Sequence, residues 1–332
     1  MTDPAPRASG LPSYADLPID PSRPPHSAWG VFGDDDEVGT INLLTPQRVL
    51  RSASLVRQGA VFSLNWDLEK PDPPILGRKP LQHTIIDLQP GADDFYDRFY
   101  PQASSQWDAL CHMPHPVYGY YNGHTQSEIT GKPGSRNGID HWAKRGVAGR
   151  FVLADVERYR RAIGNPLRPA EADPVTVDDL EGTLAAQGVT LEEGDILLVR
   201  LGWITWYEGL TQAQRVALAA AGQDLSTPGL TGEERTAAWL WDRHVAAVAS
   251  DVPALEVLPS GPWGAAEPKT TYDSYLHFRI IALLGLAVGE MFALDALAEH
   301  CANDGVYEGM FTAAPLNKLG GAGSTANALA LK

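Results

Sequence analysis

Apolar and polar positions change period repeatedly along the chain, and each change marks an element boundary. Residues 1–28 carry many Pro and Ser and no apolar periodicity, which predicts an N-terminal arm, extended or flexible, lying over a folded unit that starts at Trp29. Thr45 reads as an N-cap followed by Pro46 at the first helical position. Val49, Leu50, Ala53, Leu55 and Val56 then give a helical stripe that stops at Gly59. A strand over 61–68 follows. Between 70 and 100, prolines and a cluster of Asp, Phe and Tyr predict a long irregular excursion with a strand near 83–88.

Further along, the pattern predicts a short helix over 139–146, an apolar strand over 150–155, a helix over 177–187 and a buried strand over 195–200. Helices over 212–221 and 231–243 come next, the second opening on an approximate capping box from Thr231 to Glu234. A strand over 246–250 runs into Asp251. Residues 276–284 read as helical, 286–292 as extended and 294–302 as helical, with a last strand around 309–314. With no internal repeat and no clean linker, this alternation favours a single α/β domain over 29–332, a central mixed sheet covered by helices.

Composition removes several classes of function. The 332 residues include 26 Lys+Arg and 41 Asp+Glu, a net charge of −15, without a basic cluster to meet a nucleic acid or an anionic membrane. Cys111 and Cys301 are too few for a disulfide framework, and the N-terminus shows no apolar signal region. The richest apolar run, 280–294, is interrupted by Gly285, Gly289 and Glu290 and falls short of the roughly 18–20 residues of a membrane span. A cytoplasmic protein acting on a small molecule is the expectation.

Polar chemistry concentrates in 102–123. If this stretch begins extended, Gln102, Gln106 and Asp108 share one face, and His112 falls nearby once the chain turns. A polar loop in which Asp108 caps a turn is the plainer alternative. His277 and Glu290 flank the apolar run 280–288, where a buried Glu needs a metal, a cation or a proton. An outward-facing Glu290 at a strand end is again the plainer reading. Asp251 and Asp155 end buried strands, where open α/β sheets place their sites. Trp107, Tyr121 and Trp203 could form an aromatic wall or belong to the core. His115, held between Pro114 and Pro116, reads as surface or pocket wall, and His141 and His244 on helices read as structural. The glycines within 319–323 lack a phosphate-loop context, and Gly-x-Ser-x-Gly is absent. Cys111 and His112 face opposite ways on an extended chain, which argues against a Cys–His pair.

The pattern Gln102-x-x-x-Gln106-Trp107-Asp108-x-Leu-x-His112, followed by Tyr121-Asn122-Gly123, resembles the putative-cyclase family of metal-dependent hydrolases, which includes kynurenine formamidases and isatin hydrolases. Motifs within 29–46, 145–150, 194–203 and 314–321 occur in the family's order, so the likeness runs from about residue 29 to the C-terminus. The resemblance implies a swivelling β/β/α fold, usually dimeric, that hydrolyses a C–N bond of a small amide or cyclic amide. It implies Asp108, His277 and Glu290 as metal ligands and His112 as the histidine that handles protons. Gln102 and Gln106 stand where the well-studied members carry two ligand histidines. An amide oxygen is a harder donor than imidazole, which shifts preference from Zn²⁺ toward Mn²⁺ or Mg²⁺. Alternatively, the glutamines orient Asp108 or hydrogen-bond the substrate.

The expectation is therefore one divalent metal per subunit, Mn²⁺ or Zn²⁺ with Mg²⁺ as a third candidate, held by Asp108, His277, Glu290 and Gln106. His112 would shuttle a proton for a metal-activated water, with Gln102, Trp107, Tyr121, Asn122 and Asp251 around the substrate. The activity implied is arylformamidase-like hydrolysis of an amide, cyclic amide or imide, or of a lactone, by a homodimer. A cyclase or dehydratase using the same site, and a non-catalytic small-molecule binder of the same fold, are the alternatives.

Overall fold

The computed structural model describes residues 10–259 and 275–332. Along the chain, α1 (Pro46–Ala53) and β1 (Val61–Ser63) precede β2 (Gln82–Asp87), β3 (Ala92–Asp97) and β4 (Gln106–Asp108). Next come α2 (Asp140–Arg145), β5 (Val147–Asp155), α3 (Val156–Ala162), β6 (Pro174–Val175), α4 (Val177–Gln187) and β7 (Ile196–Arg200). Then follow α5 (Trp203–Glu208), α6 (Gln212–Ala220), β8 (Gly229–Leu230), α7 (Glu234–Asp242) and β9 (Ala247–Ser250). A π-helical turn at Phe278–Leu283 leads into β10 (Ala287–Glu290), α8 (Asp295–Asp304), β11 (Glu308–Ala313), β12 (Gly323–Thr325) and β13 (Ala328–Leu331).

One mixed sheet dominates the described residues, in the order β1-β13-β11-β5-β7-β9-β10-β4-β12. Its centre, β5-β7-β9-β10, is parallel, and the outer pairs are antiparallel. Parallel strands have both faces covered, so they read as continuous apolar runs such as Phe151–Ala154 and Ile196–Val199. Each parallel pair also needs a crossover. α3 and α4 supply it between β5 and β7, and α5 to α7 between β7 and β9.

β4 carries the polar cluster into this sheet. It pairs antiparallel with β10, setting Glu290 opposite Gln106, Gly289 opposite Trp107 and Val288 opposite Asp108. Strand alternation sends Gln106 and Asp108 to one face and Trp107 to the other. There Trp107 packs edge-on against Trp142, Phe292 and Phe311 and donates its indole N–H to the Ala326 carbonyl at 3.0 Å. Glycine is required across from it, because a Cβ at Gly289 would lie 2.8 Å from the Ala249 Cβ and from the Phe292 ring.

Several expectations are corrected. Thr45 caps α1 as predicted, accepting from the Arg48 N–H, but the helix ends at Ala53 and buries only Ser52, while Leu50 is 73% exposed. The strand expected over 61–68 pairs with β13 at three positions only, after which the Asn65 side chain replaces the ladder by bonding both backbone groups of Ala328. The excursion after residue 70 holds a second strand, β3, paired with β2; its Ala-Asp-Asp-Phe-Tyr-Asp run has no alternation to betray it. Thr231 does not cap α7: its hydroxyl meets that of Thr236 at 2.7 Å, and Glu233 takes the N-cap position. The short α3 and α5 and the terminal strands β12 and β13 were not foreseen.

Residues 10–28 of the expected arm pack closely. The Tyr14 N–H donates to Asp242 at 2.8 Å, the Trp241 indole to the Pro12 carbonyl at 3.0 Å, and the Ala28 N–H to the Leu283 carbonyl at 2.8 Å. Residues 1–9 of that arm lie outside the described residues. Among the described residues, no helix is long and apolar enough to cross a membrane.

Candidate metal centre

Asp108 from β4, Glu290 from β10 and His277 from the turn before β10 offer ligand atoms that all lie within 4.8 Å of one another. The β4–β10 register brings the first two together, and the π-helical turn returns His277 over them. His277 Nε2 lies 3.1 Å from Glu290 Oε1 and 3.6 Å from Asp108 Oδ2. Its other nitrogen, Nδ1, makes a short contact with the buried Glu256 carboxylate. A carboxylate only accepts, so the proton of a neutral imidazole sits on Nδ1 and the Nε2 lone pair points at the cluster. This is the carboxylate–histidine arrangement that orients metal-ligating imidazoles. Gln106 donates its amide N–H to Glu290 Oε2, which leaves its own oxygen free.

The donor set fits a divalent cation on an observation internal to the structure. Both oxygens of Asp108 and the Gln106 amide oxygen are buried without a hydrogen-bond partner. Orphaned buried acceptors are costly, and three of them beside an imidazole nitrogen are what a cation would satisfy. Asp108, Glu290 and His277 would hold it, with the Gln106 oxygen as a further donor.

Electrostatics separates the roles. Burial opposes ionisation of Asp108, yet the charges of His112 and His277 hold its carboxyl below the usual range. Burial likewise disfavours the His277 imidazolium, but Glu256 overrides it and raises that group well above its ordinary value. Burial, helped by the Asp108 charge, pushes Glu290 up. For His112 burial wins over the attraction of Asp108 and moves it down, so the ring is neutral near pH 7. His112 Nε2 stands 3.6 Å from Asp108 Oδ1 with 23% of its side chain exposed, the open flank of an otherwise buried group.

The other residues expected here have partners of their own. Gln102 sits in the 3-10 turn Pro101–Ala103, off the β4 face, against the backbone of Gly323. Trp107 belongs to the core on the opposite face of the sheet. Tyr121 is buried and its hydroxyl meets Asp36 at 3.1 Å. Asn122 accepts from the Gly30 N–H and donates to the Gly33 and Asp36 carbonyls, tying down the loop after the arm. Asp251 accepts from the N–H groups of Leu201, Gly202 and Trp203 and so closes the start of α5. Asp155 pairs with Arg158 and Arg200. Trp203 is buried and stacks on Tyr207. The Cys111 thiol is buried and pushed up to about 12, so it is no nucleophile.

Sequence reasoning missed Glu256, Tyr275 and Arg78. Glu256 had a signal, a lone carboxylate inside the apolar run 252–258, by the same logic that singled out Glu290. Tyr275 stacks on His277 with ring centroids 5.1 Å apart. The charge of Arg78 is felt by Asp108, His112 and Glu290 alike.

Comparison with known proteins agrees with this architecture. The family model described as "Putative cyclase" matches residues 55–257. A crystal structure described as a novel cyclase is 31% identical, with a TM-score of 0.78 over 92% of this chain and 97% of that one. Isatin hydrolase A from Ralstonia solanacearum is 20% identical, TM-score 0.57, covering 86% of this chain and 97% of its own. Isatin hydrolase A from Labrenzia aggregata, bound to benzyl benzoate, is 16% identical, TM-score 0.56, covering 82% and 93%. These two share the fold. No curated protein sequence matches the chain. With the family model spanning more than half of its length, the chain belongs to the putative cyclase family.

Proposed function

We propose that the protein is a metal-dependent hydrolase of a small amide, cyclic amide or imide, or lactone, with Mn²⁺ or Zn²⁺ as its ion and a homodimer as its assembly. The observation that carries this reading is the convergence of Asp108, His277 and Glu290 around orphaned buried oxygens, beside a half-open neutral histidine. A divalent ion, when bound there, polarises a carbonyl and makes a water more acidic. Asp108 and Glu290 supply the negative charge that holds it, and Glu256 keeps His277 turned so that Nε2 faces it. Gln106 fixes Glu290 through its amide N–H. His112, neutral and open to the substrate side, accepts the proton of the attacking water and returns it to the leaving nitrogen or oxygen. The buried surroundings keep other water out.

The test is a substrate panel of N-formylkynurenine, isatin, cyclic imides and lactones, assayed with Mn²⁺ and Zn²⁺ in turn, on wild type and Asp108→Asn. The expected result is turnover that tracks metal content and is lost with it in the variant. A metal-free Asp108→Asn protein with full activity would refute the scheme.

A further inference from the structure

Arg78, half-buried, differs from the arginines of the interior in having no carboxylate partner among the described residues. Arg150 is held by Asp195 and Glu308, Arg160 by Asp173 and Asp179, and Arg200 by Asp155 and Asp295. Arg78 forms no ion pair among the described residues, and its Nη1 is buried without a hydrogen-bond partner. The chain is shaped to put it there. Ile75 is sunk in the core, Leu76 and Gly77 adopt φ of 55° and 75°, and the Arg78 N–H closes the turn on the Ile75 carbonyl at 3.3 Å.

Leaving a buried guanidinium nitrogen unsatisfied is costly, and the cost is most easily understood if a ligand supplies the missing acceptor. A guanidinium keeps its positive charge at any working pH, and Asp108, His112 and Glu290 all feel the charge of Arg78, so the acceptor its buried nitrogen lacks is best met by an anion at the centre. A guanidinium presents a planar fork of donors that matches a carboxylate in two-point fashion.

We infer that Arg78 is the carboxylate anchor of the site, binding an acidic group that the substrate carries next to its scissile bond or that hydrolysis creates there. The inference rests on the metal-centre reading above and deepens it by naming the substrate class: amides or lactones with, or yielding, a carboxylate within reach of both the ion and Arg78.

The test is calorimetric titration of the Mn²⁺-loaded protein with benzoate and with its neutral counterpart benzamide. Arg78→Gln should weaken benzoate by about tenfold to a hundredfold while leaving benzamide and metal content unchanged. Arg78→Lys, which keeps the charge but not the fork, should fall between. Unchanged benzoate affinity in Arg78→Gln, or equal losses for benzoate and benzamide, would overturn the inference. Should Arg78→Gln fail to fold, salt decides: rising NaCl must weaken benzoate more than benzamide in the wild type, and equal weakening overturns it. Kinetics on acidic and neutral amides then separate the sources. A KM increase confined to acidic substrates marks a substrate carboxylate, and weakened product inhibition marks a newly formed one. Absence of turnover across the whole panel would sink the hydrolase reading and leave the benzoate result standing.

Discussion

Glu256→Gln tests whether the buried carboxylate behind His277 sets the strength of the metal centre. The backbone around it is locked: the Leu230 N–H donates to the Leu255 carbonyl at 3.0 Å, and Gly229 presses so closely on Glu256 that a Cβ there would lie 2.1 Å from its carbonyl carbon. Gln therefore enters the same place and keeps an acceptor for Nδ1, losing only the charge. A hydrogen bond to a charged group contributes roughly 1.5–3 kcal/mol against about 1 for a neutral one, so the loss is on the order of 1–2 kcal/mol, or about tenfold in metal affinity. Loss of partners of this kind typically costs about 10–100-fold. The pH dependence supplies the sign. Glu256 raises His277 in the metal-free chain, so a proton on Nε2 competes with the ion. Removing the charge weakens proton and metal together. The deficit should be fullest at alkaline pH and shrink as pH falls. Competition with a chelating dye across pH, with melting of the metal-free proteins as a folding control, measures it. Unchanged affinity at alkaline pH, or a deficit that grows with acidity, would refute the reasoning.

His112→Ala should retain the metal, judged by elemental analysis, and lose about 10²–10⁴-fold in kcat. Since burial lowers the wild-type His112, the acid limb of the activity profile should lie below pH 6.5, its ordinary value. Trp107→Phe should lower stability in denaturant titrations by about 1–3 kcal/mol, from the unpaired Ala326 carbonyl and lost packing, without changing KM. A KM change at unaltered stability would restore its place in the substrate wall. Glu37 accepts from Arg136 at 2.7 Å and lies 3.2 Å from His141 Nε2; though burial opposes ionisation, these partners bring it down to about 2, and Glu37 raises His141. The Glu37 contribution is present above about pH 4.5 and fades as pH falls toward about 2. The His141 contribution is complete below 6.5 and is lost as pH rises through its raised folded-state value. Glu37→Gln should flatten both limbs of the stability profile.

Much of the site was legible because its donors had to stand in unusual company. Glu290 drew notice inside an apolar run, and Gln106 and Asp108 at strand spacing predicted a common face. That spacing also implied that Trp107 faces away, as it does, so its expected place beside the substrate conflicted with the geometry of its own neighbours. Asp251 ends a buried strand and Tyr121 and Asn122 follow the polar cluster, but side chains in such places also close loops and cap helices, and these three do so. Glu256 stands in a similar apolar run, but nothing local ties it to His277, 21 residues away.

The apolar runs determined by themselves that the centre would be a sheet with both faces covered, because only continuous burial tolerates Phe-Val-Leu-Ala and Ile-Leu-Leu-Val without polar breaks. The polar residues set among and beside such runs fixed which donor types were on hand. Which strands would pair, and in what register, only the tertiary structure decided. Periodicity reports which side of a strand is buried and is silent on its neighbour, so nothing local says that Gln106 lies opposite Glu290. That pairing, 184 residues apart in sequence, brings scattered carboxylates together into a candidate metal site.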